Sequence, residues 1–363
     1  MSSARRQFTY TGEFPMHRGG ALHNPTFAYE TWGKLNAERT NAVLIFTGLS
    51  PSAHAASSKE DPSPGWWEDV IGPGRSIDSH RYFVICINSL GSCFGSTGPA
   101  SVDPLTGQLY RLTFPVLSLE DIARGGYELA RHLGIERVHA VLGPSMGGMS
   151  ALAFAVMFPN AVDGLVLLSS AARSLPFAIA LRSLQREMIR RDPLWKNGNY
   201  TGDALPLTGM RLARKLGMIT YRSAEEWRQR FGRERVAAEH TAGDPFGPHF
   251  EIEAYLEHHA LKFIGQYDPN CYLYLSRASD LFDIAEHGAS VAGALSKVQA
   301  KRVLIIGVKT DFLFPLHQQK ELAEGLAGAG RNVDFAELAC LQGHDSFLID
   351  MDAFRPVLAR FFS

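Results

Sequence analysis

The sequence predicts an α/β fold, a mostly parallel sheet flanked by helices with a block of helices inserted late in the chain. Three observations predict it. Short, nearly continuous apolar runs at 41–47, 82–88, 163–169 and 302–307 have the composition of strands buried on both faces. Helical periods alternate with these runs, and such alternation implies parallel strands joined by crossovers. One further run, starting at Val138, passes straight into Gly143-Pro144-Ser145-Met146-Gly147 and then into a helical pattern (Ala151, Leu152, Phe154, Ala155, Met157). That is the strand-to-helix elbow which holds a serine hydroxyl above a parallel sheet, with glycines where two backbones must approach.

Taken in order, residues 1–40 read as N-terminal strands and turns, with strand composition at Phe27-Ala28-Tyr29-Glu30-Thr31-Trp32. The run at 41–47 ends in the loop Gly48-Leu49-Ser50-Pro51, followed by an irregular Pro-, Gly- and Ser-rich stretch over 52–80. The strand at 82–88 leads into a long polar loop, GSCFGSTGPASVDPLTGQ, of the length expected for a functional or mobile segment. Ser118 and Asp121 form a capping box for a helix that carries Ile122, Leu129 and Leu133 on one face and stops at Gly134. The elbow follows, then the strand at 163–169.

From about 173 to 295 the buried strand runs cease, and helical periods take over at 179–191, 205–216, 224–231, 250–264 and 271–284. Sheet patterning resumes at 302–307, with a helix at 316–327, a strand at 333–338 and a last helix at about 351–361. The expected organisation is one core domain, 1–172 with 296–363, interrupted by a helical lid at 173–295. The sequence has no internal repeat and no low-complexity linker that would make the insertion a separately tethered domain.

Composition narrows the function classes. A formal net charge of -1 gives no basic excess for a nucleic-acid or anionic-membrane partner. No apolar run approaches the length of a membrane span, and MSSARRQFTYTGEF lacks the apolar core of a signal peptide. Cys86, Cys93, Cys271 and Cys340 are scattered without a C-x-x-C pair, which reads as reduced thiols in a cytoplasmic protein. No metal site, nucleotide-binding loop or bound cofactor is expected.

Ligands of open α/β sheets gather beyond the carboxyl ends of the strands. The strand at 302–307 runs into Val308-Lys309-Thr310-Asp311, and the strand at 333–338 runs toward Gly343-His344-Asp345. Ser145, Asp311 and His344 therefore occur in the chain order of an α/β-hydrolase triad. A serine hydroxyl needs a base within hydrogen-bond reach, here His344, and Asp311 would fix the imidazole tautomer and stabilise the imidazolium. Singly, Asp311 also reads as a helix cap before Pro315, and His344 as a loop histidine. The set of three at strand ends in this order favours the triad. The oxyanion hole is expected from the backbone N–H of Met146 and, after the first buried strand, that of Leu49.

Several longer motifs carry a specific resemblance. Gly143-Pro144-Ser145-Met146-Gly147-Gly148-Met149, Gly65-Trp66-Trp67 with Val70-Ile71-Gly72-Pro73-Gly74, Asn88-Ser89-Leu90-Gly91 with Gly95-Ser96-Thr97-Gly98-Pro99, and Gly343-His344-Asp345-Ser346-Phe347-Leu348 together resemble the homoserine O-acyltransferase family of α/β-hydrolase-fold acyltransferases. The resemblance spans nearly the whole chain. It implies acyl transfer from an acyl-CoA co-substrate to an amino-acid hydroxyl by a ping-pong route through an acyl-serine, and a homodimer built through the lid helices. Acetylating members usually carry a His-Ala-Leu-Thr-Gly loop after the first buried strand. Here that loop is Gly48-Leu49-Ser50-Pro51. With the segments beginning at Leu175, Arg214 and Asp268, it is similar to the serine O-succinyltransferase branch, which makes O-succinyl-serine for cysteine synthesis. The partners so implied are succinyl-CoA and L-serine. Transfer to homoserine is the alternative, and ester hydrolysis a further one.

Substrate residues follow from the same comparison and from charge. Succinyl differs from acetyl by a carboxylate, which a planar Arg fork suits. Arg182 stands where acetylating relatives typically have Asn, and is the expected reader of that group; alternatively it joins Arg186 and Arg190 in a solvated basic stripe. The resemblance implies Arg214 for the acceptor's α-carboxylate and Asp345 for its ammonium. Without it, Arg214 reads as a surface residue beside Lys215, and Asp345 as a cap for the following turn.

Overall fold

The computed structural model describes residues 4–202, 204–237 and 245–363. Its strands are β1 (Arg6–Thr9), β2 (Glu13–Pro15), β3 (Ala21–His23), β4 (Thr26–Trp32), β5 (Ala42–Phe46), β6 (Ile71–Gly72), β7 (Ile77–Asp78), β8 (Phe83–Ile87), β9 (Ala140–Pro144), β10 (Gly164–Leu168), β11 (Arg302–Val308) and β12 (Asn332–Leu338). Eight of them form one sheet in the order β1-β4-β8-β5-β9-β10-β11-β12. From β8 to β12 every pairing is parallel, while β4 and β1 close one edge antiparallel.

The continuous apolar runs are explained by burial on both faces of this sheet. In β5, Leu44 and Phe46 join one core while Val43 and Ile45 join the other. The same alternation holds for Leu165 and Leu167 against Val166 and Leu168 in β10, and for Val303 and Ile305 against Leu304 and Ile306 in β11. Helices α1 (Leu119–His132), α2 (Met146–Met157) and α9 (Leu316–Gly328) supply the first core. The single-turn α10 (Ser346–Ile349) and helix α11 (Met351–Phe362), with Trp67, Val70 and Ile71, supply the second. The outer strand β12 is only partly buried and carries Asp334 and Glu337, as suits a sheet edge.

Between β10 and β11 the chain forms α3 (Pro176–Arg191), α4 (Leu207–Tyr221), α5 (Ala224–Phe231), α6 (Glu251–Phe263), α7 (Pro269–Leu281) and the short α8 (Val291–Leu295). The helical block thus occupies the expected stretch, with shifted ends. Helix α4 runs past 216 through Gly217, where a Cβ would lie 2.9 Å from Gln185 Nε2, an amide that already donates to the Ala213 carbonyl of the same helix. Helix α7 starts and ends earlier than expected, because Asp268 caps it through the Cys271 N–H and Pro269 opens its first turn. The Ser118/Asp121 capping box is present at α1, and Gly134 follows the helix end at φ 72°.

The loop after β8 departs from a mobile segment. Ser96 Oγ accepts from the Ala28 N–H and donates to the Asn88 carbonyl, while the Thr97 N–H and Oγ1 pair with Thr26 of β4. The Gly65-Trp66-Trp67 motif is architectural. Trp67 Nε1 donates to the Phe347 carbonyl, Trp66 Nε1 to the Ser52 carbonyl, and Glu68 accepts from the N–H groups of Ser57 and Gly65. These bonds tie the irregular stretch to itself, to Ser52 and to the segment that follows His344. A Cβ on Gly65 would lie 2.1 Å from the Ala55 carbonyl carbon. Gly65→Ala is therefore expected to cost about 1–3 kcal/mol through overpacking against backbone. Chemical denaturation measures it, and an unchanged midpoint would show that the loop yields.

Candidate active site

The site is assembled at the carboxyl ends of β5, β9, β11 and β12. Ser145 sits between β9 and α2 at φ 55° and ψ −124°, strained for a residue with a Cβ and typical of backbone held by its surroundings. The flanking glycines are dictated by contact. A Cβ on Gly147 would lie 2.2 Å from the Phe46 carbonyl oxygen, and one on Gly143 2.4 Å from the Gly147 carbonyl carbon. The turn is thus clamped between β5 and the first turn of α2.

His344 Nε2 lies 2.8 Å from Ser145 Oγ, and its Nδ1 lies 2.7 Å from Asp311 Oδ2. The other carboxylate oxygen, Oδ1, accepts from the N–H groups of Leu313 and Phe314 at 3.0 and 2.9 Å. Asp311 is thereby both the turn cap anticipated as an alternative and the partner of the base. Asp311 and His344 are each 3% exposed, so the base–acid pair is withdrawn from water. Phe314 stacks on the imidazole at 5.2 Å and Phe347 meets it edge-on. Thr310 Oγ1 donates to the Cys340 carbonyl and accepts from the Gly343 N–H, tying the Asp311 and His344 loops together. The three expected catalytic residues are brought together as one hydrogen-bonded chain.

Leu49 and Met146 line the same cavity as Ser145. Met146 is the first residue of α2, where an N–H has no partner within the helix. The Leu49 carbonyl accepts from Tyr267 Oη at 2.9 Å, and no backbone hydrogen bond among the described residues uses its N–H. Both N–H groups are therefore available to an oxyanion.

Arg182 is 7% exposed and lines this cavity with Leu181, Gln185, Tyr221 and Phe314, so it is not part of a solvated stripe. Its Nε bonds Asp280 Oδ1 at 2.6 Å and its Nη2 bonds Ser174 Oγ at 2.6 Å. Nη1 carries no hydrogen bond among the described residues. Arg186 takes the second oxygen of Asp280, so one buried carboxylate anchors two guanidinium groups. A separate groove of about 1000 Å³, lined by Arg186, Arg190, Arg191 and Arg277, contains none of the triad.

Arg214 and Asp345 are placed differently from one another. Arg214 lies over the Phe263 ring at 4.5 Å, has no ion pair among the described residues, and leaves its buried Nε without a partner. Asp345 Oδ2 is held by Arg222 Nε at 3.0 Å, and Arg222 also pairs with Glu226. Asp345 is thus an ion-pair member and makes no cap through its side chain. Burial pushes its carboxyl above the ordinary aspartate value, against the pull of Arg222, His344 and Arg214. Burial likewise raises the Tyr221 phenol, opposed by Arg214 and Arg182. Arg214, Tyr221 and Asp345 therefore share one electrostatic neighbourhood beside His344.

Sequence reasoning missed Arg222, Tyr221 and Asp280. No local signal in the sequence pairs Arg222 with Asp345; the pairing comes from a tertiary contact, in which Ser223 caps α5, its hydroxyl donates to the Leu341 carbonyl, and a Cβ on Gly343 would lie 2.8 Å from the Ser223 N. Gly343, at φ 69°, lets the His344 loop and the α4–α5 turn meet.

A serine on a strand–helix elbow, served by a histidine and an aspartate from later strand ends, defines an acyl-transfer centre of the α/β-hydrolase class. The family model for the alpha/beta hydrolase fold matches residues 41–337, and the chain belongs to that family. Within it, the chain is 56% identical to the serine O-succinyltransferase of Litchfieldella anticariensis, over 99% of both chains, and belongs to the same branch. Among solved structures it is similar to homoserine O-acetyltransferase from Bacillus anthracis (TM-score 0.91, 31% identity, 99% and 97% covered). It is also similar to esterase E22 (TM-score 0.89, 29% identity, 99% of each chain).

Proposed function

We propose that this enzyme moves a succinyl group from succinyl-CoA to the hydroxyl of L-serine through an acyl-Ser145 intermediate. His344 Nε2 takes the proton of Ser145 Oγ as the oxygen attacks the thioester carbon. The N–H groups of Leu49 and Met146 hold the oxyanion. The C–S bond breaks, and the CoA sulfur leaves with the proton from His344. L-Serine enters with its carboxylate toward Arg214 and its ammonium toward Asp345. His344 takes the acceptor's hydroxyl proton, the new ester forms, and Ser145 regains its proton.

The observation that carries the succinyl reading is Arg182, a buried cation in the cavity of the nucleophile with Nη1 unused. Asp280 and Ser174 fix the fork, so a carboxylate can be met at little further ordering cost. Arg182→Asn is expected to lower kcat/KM for succinyl-CoA about 10- to 100-fold, the worth of a charge-assisted hydrogen bond, and to spare acetyl-CoA. Equal losses for both donors would remove Arg182 from donor selection.

The likeness to a homoserine O-acetyltransferase favours homoserine as the second reading. The two acceptors differ by one methylene, worth about 1–3 kcal/mol in a pocket, so some transfer to homoserine is expected. The Gly48–Pro51 loop, held by Tyr267 at Leu49 and by Trp66 at Ser52, is the wall that would sense that length. Competition between L-serine and L-homoserine, each with succinyl-CoA and acetyl-CoA, decides the assignment; higher efficiency with homoserine overturns it. Rapid hydrolysis without any acceptor would instead make the protein an esterase.

A homodimer through the helical insertion and a cytoplasmic setting complete this reading. Exposed Phe177 and Leu184 on α3 and Leu212 and Ile219 on α4 support the first. Light scattering at micromolar concentration tests it.

A further inference from the structure

Three segments far apart in sequence converge away from the triad. His17 lies in the turn between β2 and β3, Glu120 is the second residue of α1, and His287 ends the 3-10 turn Ile284–His287 after α7. His287 Nε2 is 3.2 Å and His17 Nε2 is 3.7 Å from the same oxygen, Glu120 Oε1, and the three ligand atoms lie within 4.8 Å of one another. The imidazoles stack at 5.6 Å with 24° between their planes. Glu120 is fully buried, and its second oxygen, Oε2, has no hydrogen-bond partner.

We propose that His17, Glu120 and His287 form a structural binding site for a divalent transition-metal ion of the zinc class. Two imidazole nitrogens and one carboxylate are a ligand set such ions favour. A tetrahedral zinc with bonds of about 2.0–2.1 Å holds its ligand atoms roughly 3.3 Å apart, close to the separations seen from Glu120. Both imidazoles converge on the one oxygen Oε1, while Oε2 has no hydrogen-bond partner. A cation among the three side chains would engage the buried carboxylate and take both ring nitrogens as ligands. His17 is partly exposed, which leaves the fourth position to water.

The backbones that carry the ligands are fixed independently. The His17 N–H donates to Asp121 Oδ1 at 2.7 Å. Arg18 Nη2 donates to the Leu281 carbonyl at 2.7 Å and to Glu286 at 3.0 Å. The ion would join the N-terminal hairpin, the start of α1 and the segment returning from the helical insertion. Its role is architectural, since none of these residues belongs to the triad.

The test uses the full chain, stripped with a chelator and titrated with zinc chloride by calorimetry, and separately with Co²⁺ read by its visible absorption. One equivalent of zinc is expected, with a rise in melting temperature and a tetrahedral Co²⁺ spectrum. His17→Gln and His287→Gln should each abolish stoichiometric binding, while the metal-free melting temperature of His17→Gln, altered at a partly exposed turn, stays near that of the parent. Failure of the parent to bind one equivalent, or retention of its affinity by both variants, overturns the site. Neither result depends on acyl transfer, so the outcome stands apart from the proposed activity.

Discussion

Ser145→Ala is expected to lower turnover by about 10⁴- to 10⁶-fold, the range met when a serine nucleophile with an organised base is removed. The hydroxyl lies 2.8 Å from His344 Nε2, on the elbow between β9 and α2. Alanine keeps the cavity, the oxyanion donors and the substrate cations, so folding and binding should persist while the covalent step is lost. Mass spectrometry after exposure to succinyl-CoA alone supplies the second reading. The parent should gain one succinyl group on the peptide that contains Ser145, and the variant none. Unimpaired turnover by the variant would mean direct transfer between bound substrates and would end the ping-pong proposal.

Asp311→Asn is expected to reduce kcat by about 10⁴-fold with little change in stability, the effect known where a triad aspartate is made an amide. The structure gives the reason for this chain. Oδ1 must remain an acceptor, because the N–H groups of Leu313 and Phe314 both point at it. An asparagine therefore places its oxygen there and its NH₂ toward His344 Nδ1. That nitrogen must then accept, the ring proton moves to Nε2, and Nε2 faces Ser145 as a donor. The base is lost although no atom has left the site. Steady-state kinetics with a thermal melt check this; a loss under tenfold would show that the asparagine is flipped or that the tautomer does not matter.

Much of the fold and the triad was legible because their signals are local. A strand buried on both faces must be apolar throughout, so β5, β9, β10 and β11 announce themselves in runs of five to seven residues. The elbow at Ser145 needs glycine at 143 and 147 because backbone atoms crowd there. Asp311 and His344 follow β11 and β12 by a few residues, and the topology sets what those strand ends share. Helix ends were less legible. The helical period at 205–216 halts before Gly217, which lies inside α4 in space, and the period beginning at Cys271 hides the start of α7 that Asp268 and Pro269 set.

Charge partners were not legible. Arg182 and Asp280 are 98 positions apart, Arg222 and Asp345 123, and His287 and Glu120 167. Which oxygen each cation meets depends on how helices of the insertion cross one another and return to the sheet, and no sequence spacing encodes that crossing. Local patterns in the chain thus specify the α/β scaffold and place Ser145, Asp311 and His344 in the order of a triad. Packing between distant segments is what makes Arg182 a buried fork in the cavity beside Ser145, pairs Asp345 with Arg222, and brings two histidines to one buried glutamate. The reason is physical: backbone turns and apolar periodicity act over a few residues, whereas desolvated charges are arranged by packing between segments distant in the chain.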